Sequence, residues 1–160
     1  MVSLGDLESE GFYIFWNDLY RNEKIAGGIR PDGYKTVSIG NKRYLVHRIM
    51  YMIYHHIEKY DDLPKIIDHI NGDVSDNSKE NLRGCSTNKE NLYNTKPQKG
   101  TSRYKGVRFN GRSYTAQIMK DRKSIYLGSF KTEEEAASAY NAASLIYFGN
   151  YGRLNDINLW

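Results

Sequence analysis

Cysteine is almost missing from this chain. Cys85 stands alone, which rules out an internal disulfide and a multi-cysteine zinc cage and fits a reducing compartment. Long apolar runs are missing as well. No segment approaches the ~18 to 20 residues that a membrane span needs. Apolar residues make up 39% of the sequence, enough for small folded modules but modest for one large core. The opening stretch "MVSLGDLESEGF" lacks the basic, apolar and small-residue order of a secretory signal. These absences predict a soluble cytoplasmic protein with neither a membrane nor a disulfide partner. Acids are nearly absent from one region: between 103 and 131, Arg103, Lys105, Arg108, Arg112, Lys120, Arg122, Lys123 and Lys131 face Asp121 alone. Residues 1–99 hold 14 basic and 14 acidic residues, and 100–160 hold 9 and 5, so the second part supplies the whole net charge of +4. Such a segment suits a phosphate backbone; the plain alternative is a solvated basic surface.

The residues that are present divide into two parts, 1–99 and 100–160, joined by "KPQKGTS", a linker without an apolar residue. In the first part "GFYIFW" and "YKTVSIGNKRYLV" are rich in aromatic and β-branched residues, and Gly40-Asn41 has the form of a two-residue hairpin turn. The stretch "GFYIFWNDLYRNEK" is expected to pair with that neighbouring hairpin. The period then changes: Val46, Ile49, Met50, Ile53 and Ile57 recur at helical spacing, so one helix face is buried. His47, His55 and His56 lie on or beside this helix. Adjacent histidines point about 100° apart there, so packing or surface roles fit them better than metal ligation.

A strand candidate ending in Asp68-His69, a long polar loop, a second strand "LRGCS" and a helix starting near Thr87 follow within about thirty residues. Thr87 and Glu90 have capping-box spacing, and Pro97 sets the end of that helix. After the linker come three alternating segments, "RYKGVRF", "SYTAQIMK" and "SIYLGSF". A helix opened by Thr132 and Glu135 should cover them, with Ala136, Ala139, Tyr140, Ala143, Ile146 and Tyr147 as its buried stripe. The fold class is α+β, its last part a three-stranded antiparallel sheet on one helix.

The stretch "IIDHINGDVSDNSKENL" carries the chemistry. A metal-dependent phosphodiesterase needs a divalent ion to neutralise charge growing on phosphate. It also needs an imidazole to take a proton from water near neutral pH, and a residue to hold that ring. Asp68 offers a hard oxygen ligand and His69 the base, and a helix side chain such as Asn91 could complete a Mg²⁺ or Mn²⁺ site. A calcium loop fails on register: with Gly72 sixth, Ile67 stands first, His69 third and Ser78 twelfth. A polar loop whose Asx side chains bond its own backbone stands beside the site reading.

Together, "YLVHRIMYMIYHH" and "IIDHINGDVSDNSKENLRGCSTNKENLYN" resemble the HNH homing-endonuclease family, in the subtype whose third signature residue is Asn. From Lys105 onward, "YKGVRF…GRSYTAQI…SIYLGSFKTEEEAASAYNAASLIYFG…RLN" resembles the DNA-binding domain of plant APETALA and ethylene-response transcription factors. The two occur in this order in phage and mobile-intron endonucleases, and the resemblance spans roughly residues 11 to 155. The first resemblance implies a ββα-metal core at about 64–96, one divalent cation and a nuclease that nicks or cuts double-stranded DNA. By position, Asp68 matches its metal-binding aspartate and His69 its general base. Asn81 matches the central asparagine that braces the loop and orients the histidine, and Asn91 the second metal ligand. The interval from Arg83 to Asn91 is one residue longer than usual, which leaves Asn88 and Asn94 as alternatives; helical geometry favours Asn91.

The second resemblance implies a sheet laid in the major groove. Alternation alone turns Tyr114, Ala116, Ile118, Ile125 and Leu127 inward and Thr115, Gln117, Met119, Ser124 and Tyr126 outward. The family touches DNA through such outward positions. Lys105 and Arg108 match its first-strand arginines, Tyr126 replaces a tryptophan, and Gln117 and Met119 replace charged residues. Arg and Gln can read base edges, whereas Lys105, Arg112, Arg122 and Lys123 suit phosphates. The expectation is a monomeric, phage- or mobile-element-encoded endonuclease of double-stranded DNA. A non-catalytic sequence-specific DNA-binding protein is the alternative, and a zinc-stabilised module lacks the ligands.

Overall fold

In the computed structural model, which describes residues 2–97 and 100–157, the chain forms two compact units, Met1–Asn88 and Lys89–Trp160. The fold is α+β, with small antiparallel sheets and four α-helices among the described residues. Two residues of the expected linker, Gln98 and Lys99, lie outside the described residues.

The first unit opens with α1 (Leu4–Ser9), which the sequence reading did not anticipate. Ser3 and Asp6 close a capping box on it, a reciprocal satisfaction of orphan backbone donors. Strands β1 (Phe12–Phe15), β2 (Asp18–Arg21) and β3 (Lys24–Ile25) form a meander of their own. The expected pairing of this stretch with the next hairpin is not what the chain does. Trp16-Asn17 and Asn22-Glu23 all take positive φ and fold the stretch back on itself twice. A second sheet joins β4 (Gly28–Ile29), β5 (Lys35–Ile39) and β6 (Lys42–Leu45), and Gly40-Asn41 makes the β5–β6 turn as expected.

Helix α2 (Val46–Tyr54) buries Val46, Ile49, Met50 and Met52 with Leu7, Leu19, Val37 and Ile39 in the core of this unit. It stops before Ile57, because His56 adopts φ +50° and breaks the ladder. His55 and His56 are exposed, while His47 is buried. Burial, then the nearby charges of His69 and Arg48, bring the His47 pKa down to about 3. The hairpin β7 (Ile66–His69) and β8 (Leu82–Cys85) completes the unit, with Asp68 opposite Arg83 and His69 opposite Leu82.

Helix α3 (Asn88–Tyr93) starts one residue past Thr87, and all of it but Asn88 falls in the second unit. The Tyr93 ring stacks on Phe148 at 4.0 Å, and its carbonyl accepts from Arg153 N and Lys105 Nζ, which ties α3 to this unit. Strands β9 (Val107–Phe109), β10 (Tyr114–Lys120) and β11 (Lys123–Phe130) form an antiparallel sheet covered by α4 (Glu133–Phe148). The Thr132–Glu135 capping box is present. The stripe on α4 differs at one place: Ile146 is 79% exposed, and Ala137, Ser144 and Phe148 are buried instead. At about 100° per residue, position 146 lies about 120° from Tyr140, which is outside the covered arc.

Gly106 precedes β9 at φ +76°, and a Cβ there would overlap the Tyr140 ring and the Gln117 carbonyl. Gly106→Ala should therefore destabilise the chain by at least about 2 kcal/mol in chemical denaturation. His47 gives a pH test. Its folded pKa lies below the unfolded 6.5, so the unfolded chain binds the extra proton between that value and about 3. Stability should fall as pH drops through this window, by up to about 1.4 kcal/mol per pH unit, and His47→Gln should flatten the slope.

Candidate functional site

Ile66 and Ile67 anchor β7 and deliver Asp68 and His69 to its end, where the chain leaves the sheet. Both side chains are buried, His69 to 3% exposure. The loop from 70 to 81 is held by backbone turns together with amide and carboxylate side chains that bond its own backbone. Asn81 accepts from Asn71 N at 2.8 Å and donates from Nδ2 to Asp76 O at 2.7 Å, while its own carbonyl accepts from Ile70 N. Asn71 Oδ1 accepts from Asp73 N, Asp73 Oδ1 from Ser75 N and Asp76 Oδ1 from Ser78 N. The bonds from Ser78, led by its side chain, hold the Asp76 carboxyl below its usual range. Asx turns and a potential site are thus one object here.

The His69 ring is fixed from two sides. Its Nε2–H donates to Asn77 Oδ1 at 2.9 Å, and Asn77 is itself buried. The rings of His47 and Tyr34 stand edge-on and tilted around it, at 5.1 and 5.9 Å between centroids. Asn81 bonds across the loop, and it is Asn77 whose oxygen bonds the imidazole. The run Asp76-Asn77 gave no spacing signal for this role, because the contact is made across the loop. Asp68 Oδ2 accepts from Arg83 Nε at 3.0 Å and Nη2 at 2.6 Å, a buried ion pair across the hairpin. Asp68, His69 and Asn81 therefore share one hairpin. Asn91 projects, exposed, from α3 of the second unit, with Asn88 at the start of that helix and Asn94 buried just past its end.

Among the described residues no three His, Cys, Asp or Glu side chains gather as a metal cage. The buried carboxylate of Asp68 is a hard oxygen donor of the kind that suits Mg²⁺ or Mn²⁺. Arg83 occupies the same carboxylate oxygen.

In the second unit the alternation holds. Thr115, Gln117 and Met119 face outward, with Arg108 opposite Thr115, Tyr126 opposite Gln117 and Ser124 opposite Met119. Arg112 lies exposed in the β9–β10 turn, and Arg122 and Lys123 lie exposed at the β10–β11 turn. Lys105 does not join them. Its ammonium donates to Tyr93 O at 2.8 Å and Thr95 Oγ1 at 3.3 Å. Burial, then Arg153, lowers its pKa to about 8. Arg103 pairs with Glu134 at 3.4 Å. No helix among the described residues is long and apolar enough to cross a membrane.

No family model matches the chain. A protein of Acanthamoeba polyphaga mimivirus described as an HNH endonuclease is 30% identical over 114 residues, 71% of this chain and 58% of the viral one. An AP2/ERF and B3 domain-containing transcription factor of Arabidopsis thaliana is 50% identical over 48 residues, 29% of this chain and 14% of the plant protein. The chain thus covers less than two thirds of either relative, and its similarities run to one protein named as an endonuclease and one named as a transcription factor.

Proposed function

We propose that the chain is an endonuclease that hydrolyses a phosphodiester of double-stranded DNA, with His69 as general base and the second unit as the docking surface. The observation that carries this reading is the buried imidazole of His69, held by Asn77 in a braced hairpin. Similarity to a protein named as an HNH endonuclease supports it.

With Nε2–H committed to Asn77, the lone pair of the neutral ring sits on Nδ1. There His69 takes a proton from water as the oxygen attacks phosphorus in line, and the 3′ oxygen departs on the opposite side. Asn77 keeps the tautomer, and Asn81 keeps the loop that presents both. Asp68 would hold one divalent cation, Mg²⁺ or Mn²⁺, at some cost to the Arg83 pair. When bound, that cation supplies neutralisation of the charge growing on the phosphate oxygens. One such centre in a monomer nicks one strand per binding event. Arg112, Arg122 and Lys123 would hold phosphates, and Arg108, Thr115, Gln117, Met119, Ser124 and Tyr126 would face the groove.

Supercoiled plasmid incubated with Mg²⁺ or Mn²⁺ should be relaxed by the wild type. His69→Ala should be slower by about 10²- to 10⁴-fold, the usual worth of a general base. If both leave the plasmid intact while both bind it, the chain is a DNA-binding protein without catalysis. Binding should also weaken with salt. The double variant Arg122→Ala with Lys123→Ala should lower the log–log slope by about two, near 0.9 for each lost phosphate contact. Lys105→Ala should leave the slope unchanged, because its ammonium is spent on Tyr93 and Thr95.

A further inference from the structure

On the outward face of the β9–β10–β11 sheet, Arg108, Thr115, Gln117, Met119, Ser124 and Tyr126 lie in register, and only Arg108 among them is charged. We propose that this face selects A·T base pairs in the major groove, with Gln117 reading adenine and Met119 and Tyr126 packing on thymine methyl groups. The inference rests on the docking reading above and adds to it the class of base pair.

A β-bulge makes the arrangement possible. Ala116 pairs with Gly128, but Gln117 pairs with Tyr126, so Leu127 is the extra residue. A one-residue step reverses the face of everything beyond it. The bulge therefore turns Tyr126 and Ser124 outward and leaves Ile125 and Leu127 on the helix side. Gly128, at φ +139°, supplies the bend. Without this step Tyr126 would point at α4 and the reading face would lose its largest side chain.

The chemistry of the face follows. Met119 and Tyr126 are 56% and 65% exposed, so each offers apolar surface to whatever docks. The C5-methyl of thymine is the apolar group on the major-groove edge, and apolar side chains pair with it. Gln117 is suited to adenine, whose N6 donor and N7 acceptor match the two ends of a carboxamide. Its oxygen accepts from Ser124 Oγ at 3.3 Å, and its backbone N–H donates to Gly106 O at 2.8 Å, so both the side chain and its base are oriented. Guanine is read mainly by guanidinium or ammonium groups, and Arg108 alone provides one on this face. The cations lie at the ends of the strip instead, Arg112 at one turn and Arg122 with Lys123 at the other. That distribution places positive charge where phosphates pass and neutral groups where bases lie.

The test uses the full chain with EDTA present, so that DNA is bound and not cut. Duplexes with a randomised centre are selected, and each thymine of the selected site is then replaced by deoxyuridine, which lacks only the methyl group. We expect A·T pairs in the selected core and a loss of roughly fourfold in affinity at one or two thymines, the worth of a buried methyl group. Met119→Ala or Tyr126→Ala should bind the thymine and deoxyuridine duplexes equally. Both side chains are exposed, so neither variant disturbs the fold. A core of G·C pairs alone, or equal affinity for thymine and deoxyuridine in the wild type, overturns the base preference while leaving DNA docking intact. Retention of no duplex at any salt concentration overturns docking and the preference together.

Discussion

A loop of polar residues must satisfy its own backbone, and that constraint governs the β7–β8 connection of the first unit. The connection between β7 and β8 offers only Ile70 and Val74 as apolar residues, so packing cannot fix its shape. Asn81 does so by joining Asn71 N, Asp76 O and Ile70 N at one point. An unmade bond to a half-buried backbone group costs about 1–3 kcal/mol. The loop therefore keeps one conformation, and that conformation brings Asn77 Oδ1 to the His69 ring. The position of the imidazole is thus set by an amide on one side and by the rings of His47 and Tyr34 on the other.

The second unit is organised by packing instead. Strict alternation on β10 and the bulge at Ala116/Gln117 sort side chains between a helix-facing layer and an open face. Gly106 lets the Tyr140 ring approach the start of β9 closely. Lys105, beside it, donates to the end of α3, and Asn155 brackets the same residue by bonding its N–H and carbonyl. A cation that sequence position assigns to DNA is thereby spent on holding the unit together.

Several of these features could be read directly from residues. Gly40-Asn41, the Thr132–Glu135 box and the outward set on β10 and β11 are local patterns, and each follows from backbone geometry over a few positions. What escaped depends on contacts made at a distance. The N-terminal stretch folds on itself through left-handed Trp16, Asn17, Asn22 and Glu23, residue types of which only Asn signals such a turn. Ile146 fits an apolar count but sits off the covered arc of α4. Asn77 and Arg83 are the nearest partners of the two candidate catalytic groups, and both reach them across the hairpin. Helix α1 was the exception: Ser3 and Asp6 stood three apart in plain view, in a segment too short for its periodicity to register.

The guanidinium of Arg83 gives the carboxylate at 68 a resident counter-ion. A lone buried anion would press the hairpin open until something positive arrived. Here the neutral pair lets the first unit assemble without waiting for any ion.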